Sequence, residues 1–170
     1  MVKRASLIAL LAWAATGQAA NFDAMTRCST GDVKALKFFN VGQASLYRQN
    51  CAADDPLAPP LRLEFGYNRE VPGDAFAKAA RKMIERNLDD ARFQALLPRI
   101  EAFNQHYRTT RDGDRYTLDY DDDGSLVLRL NGEALAREQG RDFAEAYFTI
   151  WFGERPYSDD LKASLLDTGH

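Results

Sequence analysis

Two blocks of alternating hydrophobicity, separated by a long stretch of helical periodicity, constrain this chain most. In the first block Leu61, Leu63, Phe65 and Tyr67 alternate with Arg62, Glu64 and Gly66. Successive residues of a strand point to opposite faces, so this segment is a half-buried strand. In the second block Tyr116, Leu118 and Tyr120 run up to the turn Asp122-Asp123-Gly124, and Leu126, Leu128 and Leu130 run back. Asn131-Gly132 predicts a type I′ hairpin next, because both central residues of that turn need positive φ. A short strand over 133–138 completes a three-stranded meander. Between the blocks, Pro72-Gly73-Asp74 starts a helix with Asp74 as N-cap. Phe76, Ala79, Ala80, Met83, Ile84 and Leu88 follow at helical spacing and form one apolar stripe. A second helical stretch covers 90–107, with Leu97, Ile100 and Phe103 on its buried side. Pro98 predicts two pieces or a kink there.

Upstream, residues 33–49 (VKALKFFNVGQASLYRQ) are rich in β-branched and aromatic residues and read as one long strand. Gly42 inside it signals a bulge or a close backbone approach. Residues 54–60 (DDPLAPP) are a loop. Downstream, Gly140 ends the sheet region. Asp142 caps a helix carrying Phe143, Ala144, Tyr147, Ile150 and Trp151 on one face, and Gly153 closes it. Ser158, followed by Asp159 and Asp160, starts a last short helix that buries Leu161, Leu165 and Leu166. The order strands, helices, strands, helices predicts an α+β fold, with a layer of helices on one face of a large, mostly antiparallel sheet.

Residues 1–20 read as a signal peptide. Lys3 and Arg4 form a positive start, Ala5 to Thr16 is apolar, and Gly17-Gln18-Ala19 offers a small-x-small cleavage site with Ala20 beside it. That apolar stretch is too short to span a bilayer, and no later one qualifies. The expectation is an exported, periplasmic protein whose one domain covers 21–170. The net charge of -3 falls to -5 on loss of Lys3 and Arg4. A mildly acidic chain does not fit nucleic acid, which needs clustered Lys and Arg. Export also bears on Cys28 and Cys51. In an oxidising compartment a pair reads as a disulfide. If most of the residues between them formed one long strand, its ends would lie too far apart to bond. Both readings stand at this point.

Few residues carry the pattern of a catalytic or metal site. Asp119, Asp121, Asp123 and Gly124 open like a calcium loop, but the position that needs a bidentate Glu is Leu130. The segment reads as an acidic hairpin turn, and no metal is expected. His106 is the sole internal histidine and reads as an ordinary helix residue; His170 ends the chain. There is no G-x-S-x-G, no glycine-rich phosphate loop, no H-E-x-x-H and no dinucleotide fingerprint, so no cofactor is expected. Tyr147, Phe148, Trp151 and Phe152 form an aromatic run. It reads either as core packing or as the lining of an apolar ligand cleft.

Three stretches together resemble the bacterial chalcone isomerase-like family. They are Phe39 to Tyr47 (FNVGQASLY), Gly113 to Tyr120 (GDRYTLDY) with Leu130-Asn131-Gly132-Glu133, and Asp142 to Leu166 (DFAEAYFTIWFGERPYSDDLKASLL). In the third, Phe152 stands where the family pattern has Leu. The resemblance implies an open-faced β-sandwich with a cleft between sheet and helices. True chalcone isomerases polarise their substrate with an arginine, a threonine, a tyrosine and an asparagine. The resemblance puts Gly42 at the threonine, Phe76 at the tyrosine, Met83 near the asparagine and Thr30 near the arginine. Gly and Phe cannot donate the hydrogen bonds that stabilise an oxyanion.

The resemblance therefore implies a non-catalytic protein holding a small apolar, fatty-acid-like acid or a phenolic ligand in the cleft. A carboxylate would want an arginine paired with a tyrosine. The residues singled out for the cleft are Tyr47, Arg48, Arg69, Phe76, Arg81, Tyr147, Thr149 and Trp151. Two alternatives remain. One is an intramolecular lyase with a divergent residue set, using polar groups around Tyr47, Thr149 and a neighbouring arginine. The other is an envelope interaction module whose cleft is filled by Phe76, Tyr147 and Trp151.

Overall fold

Alternation builds the sheet that the sequence predicts. In a computed structural model that describes residues 21–35 and 38–167, six strands lie side by side in chain order, each antiparallel to its neighbour. They are β1 (Thr26–Ala35), β2 (Phe39–Arg48), β3 (Leu61–Tyr67), β4 (Arg115–Tyr120), β5 (Ser125–Leu130) and β6 (Glu133–Gln139). The expected signal peptide falls on residues 1–20, outside the described residues. Four helices complete the α+β fold: α1 (Gly73–Asn87), α2 (Asp90–Asn104), α3 (Arg141–Phe152) and α4 (Asp159–Leu166). Among the described residues, no helix is long and apolar enough to cross a membrane.

The inner face of the sheet is a set of cross-strand rows. Leu63 faces Leu118, which faces Leu128; Leu61 faces Tyr120, which faces Leu126. All six are buried, and such directly opposed apolar pairs are the unit of sheet stability. The helices cover this face: α3 packs on β5 and β6, α4 packs on β1, and α1 packs on α2 and α3. The opposite face is polar but not loose. Asp119 is 1% exposed and lies between two guanidinium groups, at 2.6 Å from Arg62 Nε and 3.0 Å from Arg129 Nε. A buried carboxylate survives only when such partners replace its water.

The expected single strand over 33–49 is corrected to a hairpin. The chain reverses after Ala35, whose carbonyl accepts the Phe38 N–H at 3.2 Å, and β2 returns antiparallel to β1. Most of β1 precedes Val33. Its inward residues there are Ser29 and Gly31, which carry no apolar signal. They are small because α4 lies on them: a Cβ on Gly31 would come within 2.8 Å of Leu161 and Ser164. The Ser29 hydroxyl donates to the Leu165 carbonyl. This hairpin removes the geometric objection to the disulfide. Cys28 is the extra residue of a β-bulge, Cys51 follows β2, and their Cα atoms lie 5.3 Å apart in a bonded pair.

Three helix starts and one interruption were also expected. Ser158 caps α4 as anticipated, accepting from the Leu161 N–H. Asp74 and Asp142 are not caps. Each sits inside its first turn, where Asp74 pairs with Lys78 and Asp142 pairs with Arg99; the N-cap positions are Pro72 and Gly140. Pro98 does not divide the second helix, which runs unbroken from Asp90 to Asn104. The buried row Phe93, Leu96, Ile100 and Phe103 holds it in spite of the missing N–H. Asn131 and Gly132 have φ of 51° and 86°, the type I′ hairpin expected of them.

Gly42 carries both features that its position in the sequence suggested. The β1–β2 register slips beside it, and a Cβ there would lie 2.0 Å from the Gly66 carbonyl oxygen. Gly42→Ala is expected to cost about 3 kcal/mol or more in denaturant unfolding, because main chain cannot move aside as a side-chain tip can. A cost below about 1 kcal/mol would show that the strands separate freely. Replacing both Cys28 and Cys51 with Ser is expected to lower stability by about 3 kcal/mol. An unchanged unfolding midpoint would mean that the hairpin alone holds this edge.

Candidate functional site

The apolar stripe of α1 turns out to leave space. Its sheet-facing positions include Ala75, Ala79 and Ala80, with Phe76 as the one large side chain among them. Alanines cannot reach the sheet, and a cavity of about 420 Å³ lies between α1 and the strands. Phe65 and Tyr67 of β3, Tyr116 and Leu118 of β4, and Leu128 of β5 form its floor. Ile150 and Trp151 of α3 close one side, Val33, Ala35 and Val41 of the β1–β2 hairpin another, and Tyr107 and Tyr157 its remaining edges. Protein interiors otherwise pack at crystal-like density. An apolar hollow of this size is the form that small-molecule sites take.

The only polar side-chain atoms on the described lining are phenol hydroxyls and the Trp151 indole nitrogen. Tyr116 Oη accepts the Arg108 N–H at 2.7 Å and donates to the Arg108 carbonyl at 2.8 Å. Tyr157 Oη donates to the Lys34 carbonyl at 2.8 Å. Tyr107 Oη lies 3.0 Å from Tyr147 Oη, which donates onward to Asn104 Oδ1 at 2.7 Å. With the Tyr147 proton committed to Asn104, the shared proton of the first pair comes from Tyr107. Tyr67, only 8% exposed, has no hydrogen-bond partner for its hydroxyl among the described residues. Rings knit the group together. Phe76 meets Tyr67 edge-on at 5.3 Å and stacks on Tyr107 at 5.4 Å, and Phe65 lies 5.1 Å from Trp151.

Burial pushes these phenols up. The ionised form of Tyr67 is disfavoured first by loss of water and then by the nearby Tyr107, Tyr116 and Tyr157 oxygens. Burial raises Tyr107 and Tyr147 as well. At neutral pH every one of them is an uncharged donor.

The residues singled out in the sequence divide sharply. Phe76 and Trp151 line the cavity. Tyr147 stands behind it, fully buried, with its hydroxyl spent on Tyr107 and Asn104. Thr149 turns its Oγ1 back onto the Ala146 carbonyl of its own helix at 2.6 Å. Tyr47 is opposite Arg62 in the register, on the polar face, where it donates to Glu64 at 3.4 Å. Arg48 is buried at the far end of β2 and holds the 50–58 loop through the Ala53 and Asp55 carbonyls. Arg69 is exposed beside Asn68. Arg81 is on the outside of α1, near Glu85 and Glu101. No arginine lines the cavity among the described residues. Of the family-aligned positions, only Phe76 is on the lining; Thr30 faces the polar side and contacts Ser45 at 3.0 Å. Tyr67, Tyr107 and Tyr116 were read only as strand or helix residues. Their signal was indirect: a helix stripe of alanines opposite a strand of large rings.

The acidic turn and His106 lie elsewhere. Asp119 is held by Arg62 and Arg129, and Asp123 accepts the Ser125 N–H and pairs with Arg137. His106 is exposed just past the end of α2. A second recess of about 450 Å³ on the polar face is lined by Arg62, Glu64, Arg115, Asp119 and Arg129. Its charges already pair across strands, so it offers little unspent binding energy.

An antiparallel sheet roofed by helices, with an apolar cavity between the layers, defines this as a cavity-bearing open-faced α+β protein. The chain belongs to the chalcone isomerase-like family, whose model matches residues 30–167. No curated protein sequence matches it. Among solved structures, the crystal structure of an Arabidopsis thaliana fatty-acid binding protein has the same fold. Its TM-score is 0.61 at 12% identity, covering 85% of this chain and 88% of that one.

The phenols predict alkaline sensitivity. In the unfolded chain a tyrosine ionises near its ordinary value of about 10, whereas the buried ones keep their protons well above it. Above about pH 10 the unfolded state therefore binds fewer protons, and stability falls as pH rises, by up to about 1.4 kcal/mol per pH unit for each such tyrosine. Below that pH this stability is fully retained. Tyrosinate absorbance is expected to rise together with loss of circular dichroism. Complete tyrosine titration in a still-folded protein would contradict this burial.

Proposed function

We propose that this is an exported, non-catalytic protein that holds a small apolar or fatty-acid-like molecule in the cavity between α1 and the sheet. The observation that carries the reading is the cavity: about 420 Å³, apolar, and kept open by alanines on α1. Export to the periplasm rests on residues 1–20, whose composition is that of a signal peptide. The disulfide fits an oxidising compartment. The structural neighbour named for fatty-acid binding supports an apolar occupant.

A lyase with a divergent residue set finds little support. Ring closure by a phenolate needs a group to take or hold a proton, and an electrophile for the developing oxyanion. The described lining holds no carboxylate, histidine, lysine or arginine, and its phenols are kept neutral by burial. A purely structural module would fill the cleft, yet Phe76, Tyr147 and Trp151 leave it open.

The reading is tested by closing the cavity. Ala79→Trp is expected to abolish binding of the uncharged dye Nile red, or to weaken it at least about tenfold. The fold, followed by circular dichroism, should be retained, because the new ring enters space that is already empty. Undiminished dye binding by the folded variant would move the binding surface elsewhere. Native mass spectrometry of the unmodified protein should reveal a co-purifying apolar compound.

A further inference from the structure

We propose that the cavity's ligand is an uncharged apolar molecule carrying a hydrogen-bond acceptor oxygen, such as an ester or ketone, and that the Tyr67 hydroxyl is the group that holds it. This rests on the cavity being a binding site and specifies what it takes.

Two independent observations lead there. The first is an unmatched donor. Tyr67 is on the cavity lining at the end of β3, is 8% exposed, and has no hydrogen-bond partner for Oη among the described residues. The other lining phenols have already committed their protons: Tyr116 to Arg108, Tyr157 to Lys34, and Tyr107 to Tyr147. The Tyr67 hydroxyl is not sealed in the core but opens onto the cavity, so a partner for it has to come from what occupies the cavity. The nearby Tyr107, Tyr116 and Tyr157 hydroxyls already bond to Tyr147, Arg108 and Lys34, which leaves a water beside Tyr67 few free partners. Around Tyr67 stand the rings of Phe76 and Tyr116 at 5.3 and 6.3 Å. A ligand oxygen supplies the acceptor while its apolar body fills the space over Leu118 and Leu128.

The second observation is the absence of charge. The described lining has no cation. Burying an ionised carboxylate without one is costly. A recess with cations adjoins the cavity at Tyr157, where Lys34 and Arg86 share the space with Asp159 and Asp160. Arg86 is itself committed to the Arg155 and Pro156 carbonyls. An ionised fatty acid therefore has no counter-charge where its head would lie beside Tyr67. An ester or ketone asks only for one donor, and the neutral phenol of Tyr67 is one across the physiological range.

The test uses displacement of Nile red from the full-length protein at about pH 8 by methyl laurate, laurate and dodecane, where laurate is ionised. Methyl laurate should bind tightest. Tyr67→Phe should weaken methyl laurate about fivefold, the worth of one neutral hydrogen bond, and leave dodecane unchanged. The same variant should melt at an equal or higher temperature without ligand, since it removes an unpaired buried hydroxyl. A purely structural role for Tyr67 would instead lower the melting temperature and weaken all three probes alike. Undiminished methyl laurate binding by Tyr67→Phe would overturn the role of Tyr67 while leaving the cavity as the site. Tighter binding of laurate than of methyl laurate would overturn the ligand class. Failure of all three compounds to displace the dye would overturn both the cavity reading and this inference.

Discussion

The apolar rows across β3, β4 and β5 are the constraint on which the rest depends. Leu63, Leu118 and Leu128 meet across the strands, with Leu61, Tyr120 and Leu126 beside them. Because side chains alternate, fixing these rows inward fixes Arg62, Thr117, Asp119 and Arg129 outward. A slip of one residue would bury Arg62 and Glu64 beneath the helices and expose the leucines. The polar face then reinforces the register. Asp119 accepts from Arg62 on β3 and Arg129 on β5, so one buried carboxylate ties three strands together. Register and charge pairing select the same alignment, and this agreement makes the central sheet a rigid floor.

The edges of the sheet are secured by different means. β1 has almost no apolar signal of its own, and small inward residues let α4 lie directly on it. Ser29 and Gly31 give this close approach, the Ser29–Leu165 hydrogen bond fastens it, and the disulfide clips β1 to the chain beyond β2. At the other edge, Arg99 of α2 reaches Glu138, the Gln139 carbonyl and Asp142, joining β6 to the start of α3. The helix layer is thus anchored at both edges and stands off the sheet in the middle, over β3 and β4.

The central strands and the meander were legible in the sequence because their signals are local. Alternation over 61–67 and 116–130 needs no tertiary information, and Asn131-Gly132 names its own turn. The β1–β2 hairpin was illegible for a physical reason. Its first strand is specified by what packs on it, Leu161 and Ser164, not by its own hydrophobicity. Asp74 and Asp142 had the residue type of a cap but sat two residues past the N-cap, where ion pairs with Lys78 and Arg99 use them instead. The cavity was half legible. Phe76 and Trp151 could be picked out as aromatics of the right helices, whereas the arginines could not be located from sequence. An arginine's reach depends on neighbours far along the chain, and Arg48, Arg69 and Arg81 each ended on a loop or an outer helix face.

The stripe of α1 shows how a sequence can encode emptiness. A helix built only to cover the sheet would carry leucine or isoleucine at the positions of Ala75, Ala79 and Ala80, and would gain the burial energy of those side chains. Here that energy is forgone at the one place where the roof passes over Phe65 and Tyr67. The same spot holds the one lining phenol left without a partner. Small residues above and an unsatisfied donor below are separate costs to the folded chain, arising on different elements. Packing alone explains neither, because larger side chains would remove the first and phenylalanine would remove the second. A ligand with an apolar body and an acceptor oxygen offsets both at once, which is why the two defects point to a single site.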